Sequence, residues 1–322
     1  LVTALTRLFG LAHPIVLAPM GAVAGGRLAA AVTRAGGLGM IGPGYADRAW
    51  IERELDAAEG ARVGIGFITW DLARDPGRLD VALERTPAAV MLSFGDPGPF
   101  VPAIRRSGAR LLVQVQTLGA AKEAARLGVD VIVAQGTEAG GHGAERSLLS
   151  LLPAVVDAVG PIPVVAAGGI ADGRGLAAAL ALGASGVLVG TRFYATEESL
   201  APAAAKARVV AGTGDETVRT RVFDIARRID WPAPFTGRAL RNDFTRRWHG
   251  HEAELAGESG AFARYQEASR MEDFDTAVVW AGEGVDLVKD VVPASRVVDH
   301  FAAEAETAMA RSWALRRSDA GS

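Results

Sequence analysis

One stretch of the chain concentrates the residue types that proton transfer and close cofactor approach require: Gln135-Gly136-Thr137-Glu138-Ala139-Gly140-Gly141-His142-Gly143. His142 is the leading catalytic candidate. Imidazole is the side chain best matched to proton transfer or hydrogen-bond donation near neutral pH, and the two glycines before it leave space beside its ring. Glu138 reads as a cap or a positioner of this loop rather than a general acid, because no partner carboxylate is at hand. Two other places, Gly168-Gly169 and Gly190-Thr191, offer bare backbone N–H groups of the kind that hold a phosphate, and Thr191 adds a hydroxyl. Ala18-Pro19-Met20-Gly21 and Gly64-Ile65-Gly66-Phe67 close two further apolar runs. Gln114 and Gln116 fall on one face of a strand by its period of two, which predicts a wet or ligand-filled setting. His249 and His251 form a His-x-His pair without a third ligand, so no metal site is expected; His13 and His300 are read as structural.

Positioning these residues requires a scaffold, and the chain supplies a regular one. Short Val/Ile/Leu-rich runs at 14–20, 37–42, 62–68, 89–94, 110–116, 129–135, 163–167 and 186–191 alternate with segments of helical period at 25–35, 47–59, 77–86, 100–107, 119–127, 147–159, 173–182 and 199–211. Continuous rather than alternating hydrophobicity marks strands buried on both faces, hence a parallel sheet covered by helices. Eight successive βα units predict an α/β fold of the (β/α)8 TIM-barrel type, with chemistry at the C-terminal ends of the strands and a phosphate site after the seventh and eighth. The candidate residues sit at those ends. Gly37, Gly39 and Gly42 match G-x-G-x-x-G, but the motif is itself a strand here rather than a strand-to-helix turn, so it is not a dinucleotide fingerprint. Beyond 211 the rhythm stops. An arginine-rich segment with scattered aromatics and no strand run predicts a small helical subdomain, followed by a β-like stretch at 276–280, a glycine turn at Gly282 and Gly284, and a last helix over 294–311. The expected organisation is a barrel over 1–212, a helical cap over 213–275 and a returning segment over 276–322.

Composition narrows the function classes. The 322 residues include 39 glycines and 15 prolines, with 49% hydrophobic and 22% charged residues, so disorder is excluded and the glycines lack the three-residue period of collagen. The absence of cysteine removes disulfides, thiolate chemistry and cysteine-held metals. A net charge of −3 with interspersed signs gives no nucleic-acid footprint. No run reaches the ~18 apolar residues of a membrane span, and the opening LVTALTRLFGLAHP does not read as a signal peptide. A cytoplasmic enzyme with a small-molecule substrate is expected, without nucleic-acid or membrane partners; homodimerisation is left open.

The residues Pro14–Met20, Ala35–Gly39, Gln135–His142, Ala166–Ile170 and Gly186–Thr191 together resemble the nitronate monooxygenase family, over most of residues 10–195. The resemblance implies an FMN-binding TIM barrel that oxidises alkyl nitronates, or nitroalkanes, with O2 to a carbonyl compound and nitrite. It implies an FMN phosphate on Gly168, Gly169, Gly190 and Thr191. Ala18, Pro19, Met20, Gln114, Gln135, Ala139, Gly140 and Gly141 would lie near the flavin. His142 would stand beside its reactive nitrogen, hydrogen-bonding the substrate's nitro oxygens or taking its α-proton. The chain departs from the family pattern at Phe67, where relatives often carry Asn, at Gly143-Ala144 after the histidine, and at Glu283 in the tail. A flavin-dependent NAD(P)H enoyl-thioester reductase, with a pantetheine arm on the arginines of 219–247, and a flavin-binding protein without fast turnover are the alternative expectations.

Overall fold

The computed structural model describes residues 1–315. Eight parallel strands form the barrel: β1 (Ile15–Leu17), β2 (Met40–Ile41), β3 (Gly64–Ile68), β4 (Ala89–Ser93), β5 (Arg110–Val115), β6 (Val131–Gln135), β8 (Val164–Ala167) and β9 (Gly186–Val189), with β7 (Gly141–Gly143) outside the ring. Hydrogen-bonded order runs β1-β9-β8-β6-β5-β4-β3-β2, and a parallel bridge between Val16 and Leu38 joins the two ends. The TIM-barrel expectation is met, with helices at all eight expected places and bounds shifted by a few residues. The run 37–42 contributes only the two residues of β2.

Strand periodicity sorts the barrel interior into layers. Inward-facing Val16, Met91, Leu112, Val133 and Leu188 belong to one buried apolar cluster. Two residues further along the same strands stand Ala18, Ser93, Gln114, Gln135 and Gly190, small or polar, bordering a cavity instead of filling it. The opposite end is plugged by the helix Ala4–Phe9, whose Leu5 is fully buried among the interior side chains. Burying one leucine in this way contributes about 1.5–3 kcal/mol. Thr3 starts that helix with a capping box and donates its hydroxyl to the Ser185 carbonyl, fixing the plug to the barrel.

The cap corrects one reading. The segment 213–275 is mainly helical, with helices Val222–Arg227, Asp243–Trp248, Glu252–Gly257 and Ala261–Arg270, but it also carries β10 (Thr217–Thr220) and β11 (Thr236–Leu240). These pair antiparallel, and β11 pairs antiparallel with β7, so the glycine–histidine stretch is an edge strand of a three-stranded sheet rather than a loop. Sequence pattern hides these strands because they mix Thr, Arg and Gly with few β-branched apolar residues. The expected strand at 276–280 forms only a single bridge, Trp280 to Ala239. The last helix runs Ala294–Leu315, longer than expected, and the end of the 276–322 segment lies outside the described residues.

Candidate active site

His142 and the thirteen residues expected around the cofactor border one cavity of about 440 Å³ at the C-terminal ends of the strands, whereas Gln116, Glu138 and the other histidines lie outside its lining. That is the size of pocket that buries a cofactor or drug-sized ligand, ~300–1,000 Å³. A second groove, about 540 Å³, runs along the helix Ala294–Leu315 and shares none of them.

One end of the cavity is built from backbone. Gly168 and Gly169 take φ of +111° and +70°, where a side chain is strained. The amides of Gly169 and Gly190 find no acceptor among the described residues. The Thr191 hydroxyl accepts from the Gly282 amide at 3.0 Å, which leaves its own proton free to donate. Unpaired N–H groups and a hydroxyl bordering one cavity suit a phosphate, and no lysine borders it. Above them the segment 281–284 forms a roof. A Cβ on Gly140 would lie 2.6 Å from Ala281 C and Gly282 N, and one on Gly282 would lie 2.6 Å from the Glu138 carbonyl. Gly140 is therefore bare for chain-to-chain packing as well as for its place at the cavity. Gly141 differs: nothing stands within 4 Å of its would-be Cβ.

Charged residues of the cap hold this assembly. Arg219 Nη2 and Arg238 Nε both donate to the Thr137 carbonyl, at 2.8 and 2.9 Å, and Arg238 pairs with Glu283 of the roof at 2.8 Å. Burial and the neighbouring Arg238 push the Arg219 guanidinium down to about 10. Glu138 accepts from the Leu148 amide with both oxygens, capping the helix Leu148–Val159. Gln135 Oε1 accepts from Gln114 at 3.1 Å and Gln116 at 2.8 Å, while its Nε2 donates to the His142 carbonyl at 3.0 Å. The three glutamines thus tie β5 and β6 to the backbone of β7. Phe67 packs with the apolar core between strands and helices, so the position offers the cavity no polar side chain.

His142 is held on three sides. Its ring stacks on Trp231 at 3.6 Å and 7° between planes, and Trp280 tilts against it at 5.2 Å. Trp280 also covers Gly237, the β11 residue in register with His142. Nε2 donates to Asp224, 3.0 Å from both carboxylate oxygens, in a pair whose side chains are only 9% and 3% exposed. Burial depresses the imidazole below its usual 6.5, the Asp224 hydrogen bond and charge oppose that, and Arg227 and Arg219 add to the lowering. The neutral form dominates at pH 7. With Nε2–H committed to Asp224, Nδ1 carries the lone pair and makes no hydrogen bond among the described residues. A buried neutral imidazole with a fixed tautomer is a proton acceptor.

The sequence profile described as nitronate monooxygenase matches residues 2–61 and 48–304. The chain belongs to the nitronate monooxygenase family. It is 40% identical over 275 residues to nitronate monooxygenase npaC of Metarhizium robertsii, with 74% of each chain covered. Among solved structures, FabK from Thermotoga maritima superposes with a TM-score of 0.88 at 28% identity, covering 98% and 99% of the two chains. Nitroalkane oxidase from Streptomyces ansochromogenes gives 0.80 at 30% identity, covering 96% and 99%. Membership makes this nitronate monooxygenase homologue an oxidoreductase.

The residues that sequence reasoning missed come from the cap and from early loops. Asp224, Arg227 and Trp231 surround His142, and Tyr45 accepts the Trp231 indole N–H at 2.7 Å. Asp224 carried one readable signal, an acid within the apolar run Val222-Phe223-Asp224-Ile225. His249 bonds Thr220 Oγ1 at 3.1 Å, and no cluster of three metal-ligating side chains occurs among the described residues. No described helix is long and apolar enough to cross a membrane.

Proposed function

We propose that this cavity holds FMN and that the enzyme oxidises alkyl nitronates, and the parent nitroalkanes, with O2 to a carbonyl compound and nitrite. The fit rests on the unpaired amides of Gly169 and Gly190 beside the Thr191 hydroxyl. With Gly168 these would hold the phosphate, while Ala18, Pro19, Met20, Gln114, Gln135, Ala139, Gly140 and Gly141 would border the ring system and Phe67 would supply packing behind it. FMN, when bound, supplies the electron transfer between substrate and oxygen.

The chain's own part is proton handling. The observation that carries the reading is the His142–Asp224 pair, which leaves Nδ1 as an acceptor. A nitroalkane placed in the cavity would give its α-proton to Nδ1, and Asp224 would stabilise the imidazolium that forms. Trp231 and Trp280 keep the ring from rotating. Of the arginines of 219–247 considered for a pantetheine arm, Arg219 and Arg238 are turned to Thr137 and Glu283.

The test is a visible spectrum of the purified protein with identification of the acid-released pigment. FMN is expected. A colourless protein that cannot be reconstituted with FMN would overturn the proposal.

A further inference from the structure

We propose that Arg227 is the anion-recognising residue of the cavity, its guanidinium holding the substrate's nitro group as negative charge gathers on the oxygens. Arg227 is the only permanently charged side chain among the described residues that border the cavity, and no Asp or Glu borders it. Arg238, Arg246 and Arg264 of the cap pair with Glu283, Asp243 and Glu258, whereas no carboxylate pairs with Arg227 among the described residues, and of the cap arginines without such a pair it is the one that borders the cavity. Its guanidinium stands 5.7 Å from the centre of the Tyr45 ring. Tyr45 accepts from Trp231, and Trp231 stacks on His142, so the cation and the acceptor nitrogen share one wall.

Charge accounting makes this cation necessary. Asp224, one helical turn before Arg227 on the helix Val222–Arg227, is buried against His142 and would repel an anion brought to that ring. The groups facing the same region are His142, neutral at pH 7, Tyr45, whose phenol burial pushes upward, and Arg219, whose guanidinium is turned to backbone carbonyls. Among the side chains that border the cavity, Arg227 alone therefore offers an anionic substrate a positive charge, while Asp224, one turn away, and Asp71 lie behind that lining. A charge-assisted hydrogen bond in so enclosed a site is the strong kind.

The inference rests on the nitronate-oxidising reading, and the experiment separates the two. Arg227→Met and Arg227→Lys would be assayed for oxygen uptake with a preformed nitronate and with its neutral nitroalkane, and titrated with nitrate, a planar monoanion, by tryptophan fluorescence. With the nitronate the charge is present before reaction, so the Met variant should raise KM about tenfold or more while kcat changes little. With the neutral nitroalkane the charge appears only in the transition state, so the loss should fall on kcat. Nitrate affinity should drop about tenfold or more in the Met variant, and Lys should restore part of each effect. Unchanged nitrate binding in the Met variant, or equal losses in kcat and KM for both substrates, would overturn the assignment. Nitrate binding that depends on Arg227, in a wild-type protein that consumes no oxygen with nitronates, would uphold the anion site and overturn the proposed activity instead.

Discussion

Replacing Asp224 with Asn removes the negative charge beneath His142 while keeping an oxygen able to accept from Nε2. Both carboxylate oxygens lie 3.0 Å from that nitrogen, and the side chains are nearly enclosed. The charge matters when the imidazolium forms, which happens as a neutral nitroalkane is deprotonated. A charge-assisted bond exceeds a neutral one by roughly 1–1.5 kcal/mol. Two full charges about 4 Å apart at an effective dielectric of 20 interact by about 4 kcal/mol. These bound the loss in kcat for the nitroalkane between about tenfold and about a thousandfold. A preformed nitronate has no proton to give, and its turnover should fall far less. The pH dependence has a definite sign. Asp224 holds the His142 pKa up against burial, so Asp224→Asn should move the acid limb of kcat/KM for the nitroalkane to lower pH as its plateau falls. The assay is oxygen uptake with both substrates across the pH range. Equal losses with nitronate and nitroalkane, or an acid limb that moves upward, would refute the assigned proton transfer.

Three further outcomes follow from the geometry. A Cβ on Gly190 would make only ordinary contacts, 3.5 Å to Met20 Sδ and 3.6 Å to Ala18 Cβ, so Gly190→Ala should leave the Tm of cofactor-free protein unchanged yet lower FMN content; full FMN occupancy would remove Gly190 from the phosphate site. Gly140→Ala forces a methyl to 2.6 Å from the 281–282 backbone and should cost about 1–3 kcal/mol, read as a lowered Tm. Because the folded state holds His142 neutral and the unfolded chain protonates it near 6.5, the unfolded state binds more protons below that pH. Stability should therefore fall as pH drops below about 6.5, and His142→Gln should flatten that slope in Tm measured against pH.

The barrel was legible because its strands are buried on both faces and its helices carry the complementary stripe, so each unit announces itself within about 25 residues. The glycines at 140–141, 168–169 and 190 were legible as a set once assigned to strand ends. What escaped lies in contacts between distant segments. Asp224 meets His142 across 82 residues, a contact that exists only once the helix Val222–Arg227 is folded onto β7. Strands β10 and β11 escaped because Arg219 and Arg238, in register across the pair, point at the Thr137 carbonyl rather than showing an apolar face. Trp231 and Trp280, which the sequence offers only as scattered aromatics, close over His142. Gly140 looked like space for a cofactor, and the roof at Ala281 and Gly282 claims part of that space.

The most direct measurement is oxygen uptake by the purified holoenzyme on addition of a primary alkyl nitronate, with nitrite determined in the same sample. Oxygen consumption accompanied by nitrite release and independent of NADH is predicted. No uptake with nitronates, together with NADH oxidation that requires an enoyl thioester, would contradict it.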